Sequence, residues 1–539
     1  MQQNIDIRKS PLKPRSSSKN AVLVGSGMLL SRILGFVRGR IFAYYFGNLA
    51  AADAFNAAFK IPNFLQNLFG EGALSSSFIP VYASLLASDR EEEANRVARV
   101  TGSLLAVVVS ILVLVGTLAA PLLTYAIAPG FEGEKREFTV QMVRIIFPGT
   151  GVLVLSAWCL GILNSHRRFF LPYAAPVLWN LAMIGTLLGF GGKWQSYDLA
   201  KILAWGSVLG SFLQFGVQLP AVLRLTKRFQ FQLEIASSNI RTIIRNFLPS
   251  LATRGANQVS SYVDSILASP LPTGAVAMLA YVQAIYLLPV SLFGMSISNA
   301  ELPEMSSQTG SDETVAAVLC DRLNNAMRRV AFFIVPSVVC FLALGDSVIA
   351  FLYQTGKFTR DDVVYGWAVL AGSTVGLLAS ALGRLYTSAF WALRDTRTPF
   401  RFAVLRVALT AVLGWFLAFP VTVWLGIPRH LGLVGLTVSA GMAAWVEFTL
   451  LRSALRNRVG KTGLQPSYLA RLWFIAISAA IPSFAEKLLL KGLPPLISGF
   501  LVLATFGIAF IAGAAAFRLP EALTLIRTVR SKFQSGQSL

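Results

Sequence analysis

Apolar residues run along this chain in long blocks separated by short polar segments that are mostly basic. Neither a period of two nor a clean helical stripe dominates the blocks, which are apolar on all sides, as helices in a bilayer or a deep core are. A membrane-crossing helix needs about 20 such residues. By that measure spans are predicted at Ala21–Phe46, Ala54–Ala87, Val100–Ala128, Val143–Leu163, Pro172–Phe190 and Ile202–Leu223. A second group follows at Phe247–Leu267, Val276–Ala300, Val330–Tyr353, Val364–Trp391, Phe402–Leu425 and Leu431–Leu451. Leu472–Ala485 and Ile497–Phe517 complete a set of about 14 helices, which makes the fold an all-α integral membrane protein. The second span is long and carries Pro62, Gly70 and Gly72, so a broken helix is predicted there.

Composition supports this pattern. Of 539 residues 55% are hydrophobic and only 13% charged, where an ordinary soluble domain has about 25% charged. A disordered chain, a disulfide-built secreted scaffold and a soluble enzyme are excluded. Cys159, Cys320 and Cys340 are spaced for neither zinc nor paired disulfides. The net charge of +22 would suggest nucleic acid in a soluble protein. Here the cations sit in loops and tails, where they set membrane orientation and meet anionic lipid, and no nucleic-acid partner is expected.

With the N-terminus inside, the cytoplasmic loops hold about 30 Lys and Arg and the outer ones about 9. Both termini are therefore predicted cytoplasmic. The expected organisation is a basic tail (1–20), a six-helix lobe (21–224), a basic linker (225–245), a second six-helix lobe (246–452), a linker (453–471), two appended helices (472–517) and a cytoplasmic tail (518–539). No loop is long enough for a soluble catalytic domain, so no enzyme is expected. The first lobe also repeats in the second. Leu68-Phe69-Gly70 before Ile79-Pro80 recurs as Leu292-Phe293-Gly294 before Leu302-Pro303, and His166-Arg167-Arg168 before Pro172 recurs as Leu393-Arg394-Asp395 before Pro399. An even number of helices separates the copies, which predicts two halves in parallel repeat around a central cavity.

Several cations fall inside spans: Arg32, Arg38, Arg40, Lys60, Arg144, Arg254, Arg384 and Arg406. Each would cost about 2.5–3.5 kcal/mol at the bilayer centre facing lipid. Arg144 and Arg406, near span ends, are expected to snorkel to head groups. Arg32 and Arg38 lie six residues apart, about 120° around a helix, so both can border one broad cavity. The intramembrane acids Asp53, Glu71, Asp264, Asp346 and Glu447 are fewer. A solvated, net positive cavity implies an anionic substrate. The alternative is that these cations pair with acids and carbonyls to hold helices together.

The run Ser31-Arg32-Ile33-Leu34-Gly35-Phe36-Val37-Arg38, with Ala52-Asp53-Ala54-Phe55, Phe59-Lys60-Ile61-Pro62-Asn63, Phe69-Gly70-Glu71-Gly72-Ala73 and Phe78-Ile79-Pro80, closely resembles the start of the MurJ (MviN) family. Gln354–Thr359 and Arg394–Pro399 resemble family segments further on. The resemblance implies a lipid II flippase of the multidrug/oligosaccharidyl-lipid/polysaccharide exporter superfamily. Such a protein carries undecaprenyl-pyrophosphate-linked disaccharide-pentapeptide to the outer leaflet by alternating access, in the bacterial plasma (inner) membrane, in company with membrane lipids and other cell wall synthesis proteins. It implies that Arg32 and Arg38 hold the pyrophosphate, with Asp53 positioning one of them; Lys60, Arg254 and Arg384 join them as candidate substrate-binding residues from the set of intramembrane cations. Planar Arg donors suit pyrophosphate oxygens.

This chain departs from the family at two places. Gln66-Asn67 and Tyr281–Ala284 stand where members often carry arginine, and Arg254 is the candidate to compensate. No cofactor is expected beyond coupling to a sodium ion or to the membrane potential. Some members bind sodium, and Asp264 is the matching ligand here, but Thr410 and Gly414 stand where a stronger oxygen donor is expected. The rival readings are a flippase for another polyprenyl-linked oligosaccharide, a drug exporter of the same superfamily, a membrane-embedded glycosyltransferase, and a non-transporting scaffold. A cation exporter should show cavity acids, and a glycosyltransferase needs carboxylates and a large outer loop.

Overall fold

The computed structural model describes residues 17–69, 74–226, 230–234, 237–307, 312–490 and 492–535. Among them there is no strand, and helices account for nearly everything. In chain order they are α1 (Ser17–Phe46), α2 (Ala50–Leu68), α3 (Leu74–Ala87), α4 (Glu91–Leu118), α5 (Ala120–Ile127), α6 (Gly133–Ser165) and α7 (Phe170–Ala174). Then come α8 (Pro176–Phe190), α9 (Ser196–Leu225), α10 (Ser238–Ala268), α11 (Ala275–Pro289), α12 (Ser296–Ser306), α13 (Asp312–Tyr353) and α14 (Arg360–Thr374). The last are α15 (Leu377–Ala392), α16 (Arg397–Ala418), α17 (Pro420–Trp424), α18 (Gly432–Val459), α19 (Pro466–Leu489), α20 (Pro495–Ala516) and α21 (Pro520–Ser535).

Eleven helical segments among the described residues are long and apolar enough to cross a bilayer. They do not by themselves establish a count of 14. The expected spans outside that set are α1, α2 with α3, and α10, the ones bearing Arg32, Arg38, Asp53, Lys60, Arg254 and Asp264. Along the second span lie α2, with Pro62 inside it, and α3 from Leu74; Gly70–Ala73, where the break was expected, lie outside the described residues. At the second copy of that motif, Leu292-Phe293-Gly294, a π-helical turn (Val290–Met295) joins α11 to α12. Phe69 in the first copy is also π-helical. Such turns insert a residue into the ladder and bend the helix.

The other repeated motif closes α6 and α15 with one geometry. Arg167 and Arg394 take left-handed backbones, φ 57° and 58°. The amide of Arg168 donates to the Leu163 carbonyl and that of Arg167 to Asn164; the amide of Asp395 donates to Phe390 and that of Arg394 to Trp391. Both are six-to-one, five-to-two Schellman closures with arginine where glycine is usual.

The chain groups into two compact units. The first comprises Met1–Arg38, Ile61–Ala120 and Gln141–Asn257. Its core packs Leu74, Phe78 and Tyr82 of α3 with Val97 and Leu105 of α4 and Trp158 and Ile162 of α6. Trp158 Nε1 donates to the Ala98 carbonyl at 3.2 Å, so the ring's polar atom is satisfied inside that core. Arg96 holds Glu234 at 2.5 Å, which fixes part of the expected linker on α4. The second unit comprises Gly39–Lys60, Pro121–Val140 and Gln258–Leu539. Within it α18 packs on α14, α15 and α16, and the appended pair α19 and α20 packs on α13. Asp346 of α13 is buried and takes Lys487 of α19 at 2.8 Å and Arg360 at 3.4 Å.

Candidate functional site

In the first unit, α1 presents Arg32 exposed and Arg38 half-buried. The Arg38 guanidinium lies over the Trp179 ring of α8, 4.6 Å from its centroid, and its Nη1 approaches Met183 Sδ at 3.7 Å. A stacked guanidinium is held by its face, whereas phosphate recognition uses the N–H groups at its edge. Asn180, one residue beyond Trp179, donates to the Ser31 carbonyl at 3.4 Å and ties α8 to the same stretch of α1.

In the second unit, Asp53 of α2 is 1% exposed and fully engaged. Its Oδ2 accepts from Lys135 Nζ at 2.6 Å and from the Gly274 amide at 2.7 Å. Its Oδ1 accepts from the Ala277 amide at 2.7 Å. Gly274 precedes α11 with φ 97°, a backbone that glycine alone adopts without strain. The first amides of a helix have no partner within it. Asp53 therefore does for α11 what a capping side chain normally does from within the helix itself, and its charge faces the positive end of the helix dipole. Lys135, 17% exposed, also rests over the Phe131 ring at 4.0 Å. Around this point Tyr281 donates to the Gly47 carbonyl at 2.9 Å and packs against Tyr353 and Phe358, and the Lys357 amide donates to Tyr44. Arg40 donates to the Phe351 carbonyl at 2.6 Å, near the end of α13.

A second charge group lies in the same unit. Lys60 Nζ donates to Ser265 Oγ, and Tyr262 hydroxyl donates to the Lys60 carbonyl at 3.1 Å. Asp264 lies beside these contacts, with Lys60 and Arg406 as the cations acting on its charge. Its Oδ1 is buried without a hydrogen-bond partner. Arg406, expected to snorkel, instead pairs with Glu447 of α18 at 3.0 Å. Arg384 of α15 is exposed and feels Arg406, Glu447 and Tyr286. Lys60, Arg384 and Arg406 against Asp264 and Glu447 leave one positive charge over. The side chain of Arg254 and all of Glu71 lie outside the described residues.

At the expected sodium position Asp264 is the one carboxylate among Asp264, Thr410 and Gly414. A Cβ at Gly414 would meet Leu267 Cδ1 and Ser439 Oγ at 3.1 Å each, so no longer oxygen-bearing side chain fits there. The described residues hold no group of three His, Cys, Asp or Glu able to bind a metal. Hard cations take several oxygens, as calcium takes 6–8.

Sequence reasoning missed Lys135 and the Gly274 and Ala277 amides as partners of Asp53. A lysine 82 residues away carries no motif, and backbone amides carry none at all. The one available signal was Gly274 immediately ahead of an apolar run, a helix start without a capping side chain of its own.

Comparison with known proteins bears on this arrangement. Residues 42–504 match the family model "Lipid II flippase MurJ". Arg32 and Arg38 lie just ahead of that segment. A probable lipid II flippase MurJ of Bdellovibrio bacteriovorus is 30% identical over 511 residues, 92% of this chain and 94% of its own. One from Rhizobium meliloti is 30% identical over 473 residues, 87% of this chain and 85% of its own. Among solved structures, a lipid II flippase MurJ in an inward closed conformation superposes with a TM-score of 0.74 at 22% identity, over 92% of this chain and 98% of the other. A multidrug resistance MATE family transporter of the MOP superfamily follows at 0.60 and 18% identity, over 81% of this chain and 99% of the other.

Proposed function

The chain belongs to the MurJ family of lipid II flippases, and on that premise we propose that it moves lipid II from the cytoplasmic to the outer leaflet of the bacterial inner membrane by alternating access. Flipping forms and breaks no covalent bond. It requires a polar, anionic head group to be held at membrane depth while the polyprenyl tail stays in lipid. Arg32 and Arg38 are proposed to grip the pyrophosphate, with Arg384 and Arg254 adding positive field. The observation that carries this reading is Arg38 stacked on Trp179 one and a half turns from the exposed Arg32. Stacking on Trp179 holds the plane of the Arg38 fork in one orientation, the geometry that two-pronged contact with phosphate oxygens requires. Asp53 is proposed to hold the start of α11 by capping it together with Lys135.

Membrane lipids and other cell wall synthesis proteins are the expected partners. Both termini are proposed to be cytoplasmic, which labelling of single cysteines at Arg168 and Trp194 from opposite sides checks.

The test of function is complementation of a strain depleted of its lipid II flippase, with abundance measured by immunoblot and lipid II assayed on the outer face. Arg38→Lys, which keeps charge but loses the fork, is expected to fail. Arg32→Ala with Arg38→Ala is expected to trap lipid II in the inner leaflet. Normal outer-face lipid II in that double variant would overturn the assignment.

A further inference from the structure

We propose that the segment Gln230–Glu234, between α9 and α10, is a bilayer anchor: Phe231 and Leu233 enter the boundary between head groups and acyl chains, and Arg241 and Arg245 beside them take anionic phospholipid head groups. This is independent of what the protein carries; on the orientation proposed above the leaflet is the cytoplasmic one.

Burial alternates along the segment. Phe231 and Leu233 are 60% and 56% exposed, while Gln232 and Glu234 are half-buried. That is the period of extended backbone, whose successive side chains point to opposite sides. The inward residues hold the segment to α4. The Gln232 amide donates to Ser103 Oγ at 3.1 Å, and Arg96 donates to both carboxylate oxygens of Glu234. Ser103 and Arg96 lie two turns apart on one face of α4, so the anchor points span about 10 Å of that helix. Along this stretch α4 changes character: its charged residues end at Arg99, and Val100–Leu118 carry none. The two anchor points therefore straddle the depth at which water gives way to hydrocarbon.

The same register shows which way the segment faces. Leu114 follows Arg96 by five whole turns and so points in the same direction. Leu114, Ile111 and Leu118 are all exposed, an aliphatic surface suited to lipid and not to a polar cavity. The start of α10 brings cations to the same depth. Asn239 in its first turn donates to Glu93 Oε1 at 2.8 Å, which sets the level, and Arg241, Ile244 and Arg245 follow, all exposed. Apolar side chains held at interface depth with cations alongside are how amphipathic segments lie on anionic membranes.

The experiment uses the purified full chain, with Cys159, Cys320 and Cys340 replaced by alanine, in nanodiscs of phosphatidylglycerol and phosphatidylethanolamine. A nitroxide is attached through Phe231→Cys or Leu233→Cys, and its collisions with oxygen, which concentrates in hydrocarbon, are compared with those with a water-soluble nickel chelate. Oxygen collisions are expected to exceed nickel collisions by about threefold or more at both positions. Dominant nickel collisions at either position place the segment in water and overturn the proposal. Few collisions with both reagents mean that a second copy or another protein covers it, and overturn it as well. A second measurement keeps the native cysteines. Wild-type Tm is expected to be higher in phosphatidylglycerol discs than in phosphatidylcholine discs, and Arg241→Gln with Arg245→Gln to remove about half or more of that difference. No difference in the wild type, or one that the double variant leaves untouched, overturns the head-group contact. Neither readout requires lipid II to move, so a chain that shows both results and flips nothing would refute the flippase reading alone.

Discussion

Replacing Asp53 by alanine removes a carboxylate that accepts from Lys135 at 2.6 Å and from the Gly274 and Ala277 amides at 2.7 Å. Hydrogen bonds to charged groups contribute about 1.5–3 kcal/mol each. Removing one partner of a buried ion pair costs about 3–5 kcal/mol, because the other charge is stranded. Lys135 is 17% exposed and partly able to reach water, so the lower half of that range applies, about 3–4 kcal/mol. At 1.36 kcal/mol per tenfold change, local opening of the start of α11 becomes roughly 10²- to 10³-fold more frequent. Hydrogen exchange of the Gly274 and Ala277 amides, followed by mass spectrometry on peptides covering them, reads this opening directly. Asp53→Asn keeps one acceptor oxygen but turns an amide donor toward one of the two amides, and is expected to accelerate exchange about tenfold or more. Lys135→Met leaves both amide contacts in place and should have the smallest effect of the three. Exchange within about threefold of wild type in Asp53→Ala would refute the capping role.

Three further outcomes are expected. Thr398, first through its amide and then its hydroxyl, together with Arg458 holds the Asp395 carboxyl below its ordinary 3.8; a depressed carboxyl stabilises above its unfolded value, so Asp395→Asn should lower Tm at neutral pH and progressively less as pH falls below 3.8. Burial, and next Arg168, lower His166 below its ordinary 6.5 against a smaller opposing pull from Glu91; protons then favour the unfolded chain, so Tm should fall as pH drops below 6.5, and His166→Gln should flatten that slope. Arg167→Gly and Arg394→Gly relieve left-handed backbones of φ 57° and 58° and should each raise stability by about 1 kcal/mol in chemical denaturation, a gain that a resting strain-free turn would not show.

The long apolar blocks and the repeated Leu-Phe-Gly and basic-turn motifs were legible because each leaves a mark in local composition. What one span does to another was not legible. Helices apolar on every side carry no stripe to show which face meets which neighbour. The pairing of Arg406 with Glu447 across 41 residues, and of Lys60 with Ser265 across 205, had to come from coordinates. Hydropathy placed Arg406 near a span end and so toward the head groups; proximity to Glu447 won because a partnered charge is cheaper than one stretched to an interface. Asp53 was singled out as an acid, but its partners are backbone amides and a lysine in the first turn of α6 that no sequence pattern advertises.

The left-handed arginines that close α6 and α15 recur at Arg518, φ 52°, which closes α20 with the Leu519 amide on Ala514 and the Arg518 amide on Ala515. A helix ended this way cannot add a turn, because the next residues have already folded back onto its last carbonyls. Three apolar helices therefore each have one fixed end. When the surrounding bilayer thins or thickens, that end cannot fray or grow to match it, and the helix must answer by tilting or by adjusting at its other end.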